Sequence, residues 1–305
     1  MLRAAAIIPA RFNSTRFPGK PLSLLKGKPV IQYVYEQTSL AKLTDAVFVA
    51  TDDKRIFDAV TNFGGKAVMT SPSHASGTDR IAEAARDIDC DVIVNVQGDE
   101  PFIKPEMVDD AVKLLLDDPS VSIGTLAARI KTRRDVVNEN VVKVVFNNDG
   151  FALYFSRSPI PFHRDAWKIQ NTDHSLRRAQ SNRPQTTDTP PSPTVNPPTS
   201  HFNKGGQRGI LKGGMGGFFE LQTPNSKLQT FYCFKHIGIY AYRKDVLLKF
   251  SNLPHGRLEK IEKLEQLRAL ENGIKIKVKE TAFETIGIDT PEDLRKAEEW
   301  LNSYS

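Results

Sequence analysis

The sequence predicts an α/β fold in which a mainly parallel β-sheet is covered by helices on both sides. Three observations carry this expectation. Short β-type apolar runs recur through residues 1–160, stretches with helical apolar spacing fall between them, and the alternation resumes toward the C-terminus.

The strands are expected at Ala5–Pro9, Ala46–Ala50, Val92–Val96 and Val141–Phe146. Between them, helical spacing covers Val30–Leu40 and Asp53–Phe63, the latter with Ile56, Phe57 and Val60 on one side. Pro105–Leu116 is a third helix, placing Met107, Val108, Ala111, Val112 and Leu115 on one face. Apolar strands joined through helices imply parallel pairing with both sheet faces buried. In such sheets ligands bind beyond the carboxyl ends of the strands, so chemistry is sought just after each strand.

From about Asp165 to Thr230 the pattern stops. Residues 184–198 read P-Q-T-T-D-T-P-P-S-P-T-V-N-P-P, where repeated proline fixes φ and removes backbone donors. Seven glycines follow between Gly205 and Gly217. The expectation is a long flexible surface insertion at 165–233 that interrupts one α/β domain, with 1–164 before it and 234–305 completing it. In the last part, His236–Tyr242 reads as a strand, Leu258–Glu271 as a helix and Ile274–Val278 as a strand, and a final short strand ends at Asp289. Thr290 then caps a C-terminal helix, with Pro291 at the first helical position and Glu292 and Asp293 in the first turn.

Composition bounds the function. The apolar and charged fractions, 39% and 26%, are those of a soluble globular protein. No apolar run approaches the roughly 18 residues of a membrane span. The run Ala4–Ala10 is too short, and too soon followed by Arg11 and Arg16, for a signal peptide, so a cytoplasmic protein without membrane insertion is expected. Cys90 and Cys233 have no metal-ligand spacing and read as reduced structural residues. The net charge of +6 draws mainly on Asp165–Cys233, which holds eight Lys/Arg against four Asp/Glu. With no aromatic-rich RNA-binding motif, nucleic acid is not an expected partner.

Three segments at strand ends carry the candidate chemistry. Arg11, Ser14, Thr15, Arg16, Gly19 and Lys20 crowd two arginines, a lysine, two hydroxyls and a turn glycine into ten residues, which suits a polyphosphate. The segment is neither a Walker A loop nor a dinucleotide fingerprint, and a solvated basic loop has the same composition. Asn95–Pro101 (N-V-Q-G-D-E-P) places Asp99 where a carboxylate reaches a phosphate-bound metal, although Gly-Asp-Glu-Pro is also good turn chemistry. Asp289, in Gly287-Ile288-Asp289-Thr290-Pro291, is either a second metal carboxylate or a helix-entry acid.

These segments occur in one order with others: A-R-x-x-S-T-R-x-P-G-K-P-L at 10–22, V-N-V-Q-G-D-E-P at 94–101, A-L-Y-F-S-R at 152–157, K-H-I-G-I-Y at 235–240, L-E-Q-L-R at 264–268 and G-I-D-T-P-E-D at 287–293. Together they resemble the 3-deoxy-manno-octulosonate (Kdo) cytidylyltransferase family, over nearly everything except the insertion. The resemblance implies a three-layer α/β/α, Rossmann-like nucleotidyltransferase fold with a mixed, mainly parallel sheet, and a nucleotide-binding role for 1–164. It implies that Arg11, Ser14, Thr15, Arg16 and Lys20 hold the CTP phosphates, and that Asp99 and Asp289 ligate Mg²⁺. Arg11, Lys20, Asp99 and Asp289 are thus the expected catalytic set. Thr70, Ser76, Gly77 and Thr78 would line the cytosine and ribose, and Gln97, Arg157, His236, Glu262, Glu265 and Gln266 would surround the sugar.

The implied reaction is attack of the Kdo anomeric hydroxyl on the α-phosphorus of CTP, giving CMP-Kdo for lipopolysaccharide synthesis and releasing pyrophosphate, in a homodimeric enzyme. Several residues keep structural alternatives: His236 as a half-buried strand histidine, His74 as a loop hydrogen-bonder, Glu262 and Gln266 as a solvated i,i+4 pair, and Arg157 as the partner of a structural acid. Leu264 and Leu267 are expected in the core. Rival functions are a CMP-sugar synthetase for sialic acid or amino-Kdo, a metal-dependent glycosyltransferase, and a catalytically dead scaffold. The insertion departs from the family's pattern, which joins the Arg157 and His236 regions more briefly.

Overall fold

A computed structural model describes residues 2–13, 17–162 and 233–303. In chain order, β1 (Ala4–Ala10) leads to a 3₁₀ turn at Lys20–Leu22 and a small hairpin of β2 (Leu24–Leu25) and β3 (Lys28–Pro29). Then come α1 (Val30–Ser39), β4 (Ala46–Thr51), α2 (Lys54–Asn62), β5 (Ala67–Met69), α3 (Gly77–Ala85), β6 (Val92–Asn95) and α4 (Pro105–Asp117). They are followed by β7 (Ile123–Arg129), α5 (Arg133–Val137), β8 (Lys143–Phe146) and β9 (Ala152–Ser156). After the expected insertion come β10 (Phe234–Arg243), α6 (Lys244–Phe250), α7 (Arg257–Glu262), α8 (Gln266–Glu271), β11 (Ile276–Glu280) and α9 (Pro291–Ser303). The insertion at 165–233 lies outside the described residues, apart from a buried Cys233. Met1–Pro161 and Gln229–Ser305 pack as one compact unit.

The sheet runs β11-β7-β10-β6-β1-β4-β5, with β8 beside β10 and β9 beside β8. Parallel pairing joins β1 to β4 and β6, β4 to β5, and β7 to β11, whereas β10 runs antiparallel between β6 and β7. Alternation along β1 sets the layers. Ala4, Ala6 and Ile8 pack with Ile31 and Val34 of α1, Ile56 and Val60 of α2, and Met107 and Val108 of α4. Ala5 and Ile7 face the other way, onto Ile81 and Ala85 of α3, Leu247 of α6 and Leu267 of α8. Strand β10 repeats the pattern, sending Ile237, Ile239 and Ala241 to the first layer and Tyr240 and Tyr242 to the second. The three-layer α/β/α expectation is met. Cys90 and Cys233 are buried and unbridged.

Two expected elements differ. The helix over Leu258–Glu271 is broken into α7 and α8, because Lys263 adopts φ 55°, the left-handed region that stops a helix. Arg157 braces the break by donating from Nε to the Glu262 carbonyl at 2.8 Å. Glu262 and Gln266 therefore do not form an i,i+4 pair, while Leu264 and Leu267 are buried as expected. No strand forms before Asp289. The segment is instead held by the Ile288 amide, which donates to the Asp99 carbonyl at 2.8 Å.

Candidate active site

A cleft of about 250 Å³ opens where β1 and β6 end, at the carboxyl edge of the sheet. Its walls are Pro9–Arg11, Lys20 and Pro21, His74–Gly77 with Arg80, Gln97–Asp99, and Asp289.

The first wall is the basic loop after β1. The Gly19 amide donates to the Phe12 carbonyl at 2.9 Å and closes the loop, with Gly19 at φ 72°. A side chain there would meet the Phe12 ring at 3.1 Å, so glycine serves both the turn and the close approach. The Arg55 guanidinium of α2 stacks 3.3 Å over the same ring and fixes the loop from behind. Arg11 and Lys20 thereby face the cleft, whereas Ser14, Thr15 and Arg16 lie outside the described residues.

Asp99 and Asp289 converge. Lys20 Nζ donates to Asp99 Oδ2 at 2.7 Å and to Asp289 Oδ1 at 3.1 Å, joining residues that are 79 and 269 positions apart. Gly98 permits the approach, since a Cβ there would lie 2.8 Å from the Pro9 carbonyl oxygen. On the other side the entry to α9 holds Asp289. Asp293 Oδ2 accepts from the Asp289 and Thr290 amides at 3.2 and 2.9 Å, and from the Thr290 hydroxyl at 2.8 Å. Two carboxylates aimed at one ammonium form a hard, anionic oxygen pair that fits Mg²⁺. Among the described residues no group of three or more His, Cys, Asp or Glu could hold a metal. A cation at this pair would need its remaining ligands from substrate oxygens and water, as Mg²⁺ commonly does.

The third wall is the start of α3. Ser76 is its N-cap, accepting from the Asp79 amide at 3.1 Å, and a Cβ at Gly77 would meet the Pro9 ring at 3.3 Å. Thr70 and Thr78 are buried behind the wall. Thr70 accepts from the Arg80 guanidinium, and Thr78 donates to Glu265 Oε2. His74 pairs with Glu83 through Nε2, as a loop hydrogen-bonder does.

The residues expected around the sugar divide in two. Gln97 lines the cleft and donates to Asn95 Oδ1 at 3.2 Å. Near it, across Gly238, stands Glu100, and Tyr240 packs ring to ring with His236 at 5.1 Å. Thr125 donates to the Ile239 carbonyl at 2.7 Å, so its hydroxyl accepts from His236 Nε2 at 3.0 Å. Burial pushes the His236 pKa down to about 3 and keeps the ring neutral. Burial, reinforced by the neighbouring Asp99 charge, pushes Glu100 up to about 8. Four buried polar atoms here lack a hydrogen-bond partner: Glu100 Oε2, the Tyr240 hydroxyl, Glu265 Oε1 and Gln266 Nε2. Each unmet group costs about 1–3 kcal/mol, so these atoms call for water or a polar ligand as partner. Arg157 and Glu262 stand apart. Glu262 accepts from the Ser156 hydroxyl at 2.7 Å and the Arg157 amide at 3.0 Å, and Arg157 also donates to the Glu139 carbonyl at 2.9 Å.

Motif reading did not single out Arg80, Glu100 or Tyr240. Arg80 lines the cleft, buried and held by an ion pair to Asp52 at 3.1 Å. The available signal was its place one helical turn after the α3 cap. Glu100 and Tyr240 sit inside recognised segments, but only tertiary packing leaves their polar atoms without partners.

The cytidylyltransferase family profile matches residues 5–191 and 215–276. The 3-deoxy-manno-octulosonate cytidylyltransferase of Trichlorobacter lovleyi is 45% identical over 298 residues, covering 98% of each chain. That of Geobacter sulfurreducens is 45% identical over 300 residues, covering 98% of this chain and all of its own. A solved CMP:2-keto-3-deoxy-manno-octonic acid synthetase in complex with CTP superposes with a TM-score of 0.75 at 36% identity, over 99% of this chain and 100% of that one. The 4-diphosphocytidyl-2C-methyl-D-erythritol synthase of Anaerococcus prevotii, 14% identical with a TM-score of 0.53 over 99% of both chains, shares the fold. By sequence along nearly its whole length, and by the architecture that gathers Lys20, Asp99 and Asp289, the chain belongs to the 3-deoxy-manno-octulosonate cytidylyltransferase family.

Proposed function

We propose that this chain transfers the cytidylyl group of CTP to Kdo, giving CMP-Kdo and pyrophosphate. The observation that carries the reading is the meeting of Lys20, Asp99 and Asp289 in one cleft beside Arg11. It occurs in a chain 45% identical to named Kdo cytidylyltransferases. In this reading Arg11 and Lys20, with Ser14, Thr15 and Arg16 of the same loop, hold the triphosphate. Ser76, Gly77 and Arg80 border the nucleoside, with Thr70 and Thr78 supporting them from behind. Gln97, His236, Glu265 and Gln266 take the sugar, together with Glu100 and Tyr240, whose unmet polar atoms suit a polyhydroxylated acid. Arg157 and Glu262 shape that side by bracing the break between α7 and α8.

The chemistry needs no covalent intermediate. The anomeric oxygen of Kdo bonds to the α-phosphorus, the bond to the β-phosphate oxygen breaks, and the hydroxyl proton passes to solvent. The cations of the loop stabilise the charge that gathers on pyrophosphate, and the fixed walls hold attacking oxygen and phosphorus in line. Asp99 and Asp289 would hold Mg²⁺, which supplies Lewis-acid stabilisation of the phosphate oxygens and acidifies a hydroxyl bound to it. A neutral His236 with a pKa near 3 is a hydrogen-bonding residue rather than the proton acceptor.

A homodimer in the cytoplasm completes the proposal. No helix of the described residues is long and apolar enough to cross a membrane. Sedimentation of the purified chain checks the dimer. The activity is tested by pyrophosphate release from CTP with Kdo, 8-amino-Kdo and sialic acid offered in parallel. Turnover with Kdo well above the others is the expected outcome. A preference for another acidic sugar would replace the substrate, and no CTP-dependent turnover would leave a scaffold.

A further inference from the structure

Lys20 does more in this structure than line a phosphate site. Its ammonium lies between the two carboxylates, 2.7 Å from Asp99 and 3.1 Å from Asp289, and its side chain is only 14% exposed. It engages one oxygen of each carboxylate, on the side where the two acids that would hold a divalent cation meet. An ammonium and a divalent cation crowded onto one acid pair repel, so each occupancy disfavours the other.

The backbone under Lys20 is fixed. Gly19 is held at φ 72°, the Leu22 amide donates to the Gly19 carbonyl at 2.9 Å, and the Ser23 amide donates to that of Lys20 at 3.1 Å. The side chain is the movable part, a flexible four-carbon stem ending in a compact charge. The alternative partner is set by the cleft, because a polyphosphate bound beside Arg11 offers that ammonium a denser negative charge than two carboxylates.

We propose that Lys20 bars the Asp99–Asp289 pair to a divalent cation until a polyphosphate draws its ammonium away, so that metal loading follows the nucleotide. This rests on the metal reading given above. The coupling is reciprocal: whatever factor the nucleotide adds to metal affinity, the metal adds to nucleotide affinity.

The test uses the full chain without nucleotide and Mn²⁺ as the probe, counting free ion by electron paramagnetic resonance and following thermal unfolding with and without the ion. Lys20→Met is expected to bind Mn²⁺ at least about tenfold more tightly than the parent and to melt higher in its presence, a coupling of ordinary allosteric size. Lys20→Arg, which keeps the charge, should stay as weak as the parent. Lys20→Gln replaces the methionine variant if that one does not fold. Parent and Lys20→Met binding Mn²⁺ equally, with Asp99→Asn abolishing it, overturns the gate and leaves the metal reading standing. Tight Mn²⁺ binding that survives in Lys20→Met/Asp99→Asn places the ion elsewhere, and the metal reading itself falls.

Discussion

Asp99, Lys20 and His236 show how one residue's environment sets what it does. Asp99 reaches the cleft because Gly98 lets the turn after β6 pass close to the Pro9 carbonyl, and its carboxylate meets the Lys20 ammonium there. Asp99→Asn keeps the shape and removes the charge. Turnover should fall by at least about a hundredfold, the scale of losing one transition-state electrostatic contact, while thermal unfolding stays near that of the parent. Steady-state pyrophosphate release and a melting curve decide it, and near-normal turnover removes Asp99 from the chemistry. His236 makes a prediction about pH. Its pKa is pushed down to about 3 by burial against an ordinary value near 6.5, so between those values the unfolded chain binds the extra proton. Stability should therefore fall as pH drops below about 6.5, by up to about 1.4 kcal/mol per unit from this residue alone. His236→Asn should flatten that decline in denaturant titrations between pH 4 and 7.

At the scale of elements, the break between α7 and α8 organises the sugar side. Arg268 is 2% exposed and reaches back from α8 to Glu259 of α7, through Nε at 2.9 Å and Nη2 at 2.6 Å. Burial alone would raise the Glu259 pKa, but hydrogen bonds from Arg268 and His255 outweigh it and pull the carboxyl down to about 2. The stability this contributes is present above about pH 4.5 and lost as pH falls toward 2. Arg268→Met leaves that carboxylate buried without its partner and should cost about 3–5 kcal/mol in denaturant unfolding at neutral pH. The KM for the acidic sugar should rise, because Glu265 and Gln266 sit at the start of the same helix. An unchanged KM would separate α8 from the sugar. Gly98→Ala probes the junction of β1 and β6. Its new Cβ, 2.8 Å from the Pro9 oxygen, forces the strand ends apart, for a loss of about 1–3 kcal/mol and a drop in turnover.

Across the whole molecule, the site exists because the end of the chain packs onto its beginning. Ile288 and Ala297 lie with Leu25 and Val30 in a small buried cluster, and the Ile288 amide bonds the Asp99 carbonyl. Ile288→Ala should cost about 2–5 kcal/mol and lower turnover beyond what unfolding explains, since Asp289 loses its seat. Activity measured well below the melting temperature separates these effects.

Much of this was legible in the sequence. Short apolar runs located β1, β4 and β6, and the 3.6 period located α1, α2 and α4, because strands buried on both faces and helices buried on one stripe are written directly into residue order. Thr290, Pro291 and Asp293 announced α9 through local capping chemistry, which needs no tertiary context. The ordered motifs placed Lys20, Asp99 and Asp289 in one function. Only the tertiary structure decided the rest. The split of Leu258–Glu271 turns on a left-handed Lys263 whose neighbouring carbonyls are met by Arg157, a residue more than a hundred positions away. Thr70 and Thr78 are buried and bonded to Arg80 and Glu265, and Glu100 and Tyr240 acquired unmet polar atoms through packing alone. The reason is physical: propensity, period and capping act between residues a few positions apart, whereas burial and the meeting of charges depend on which distant segments the sheet brings side by side.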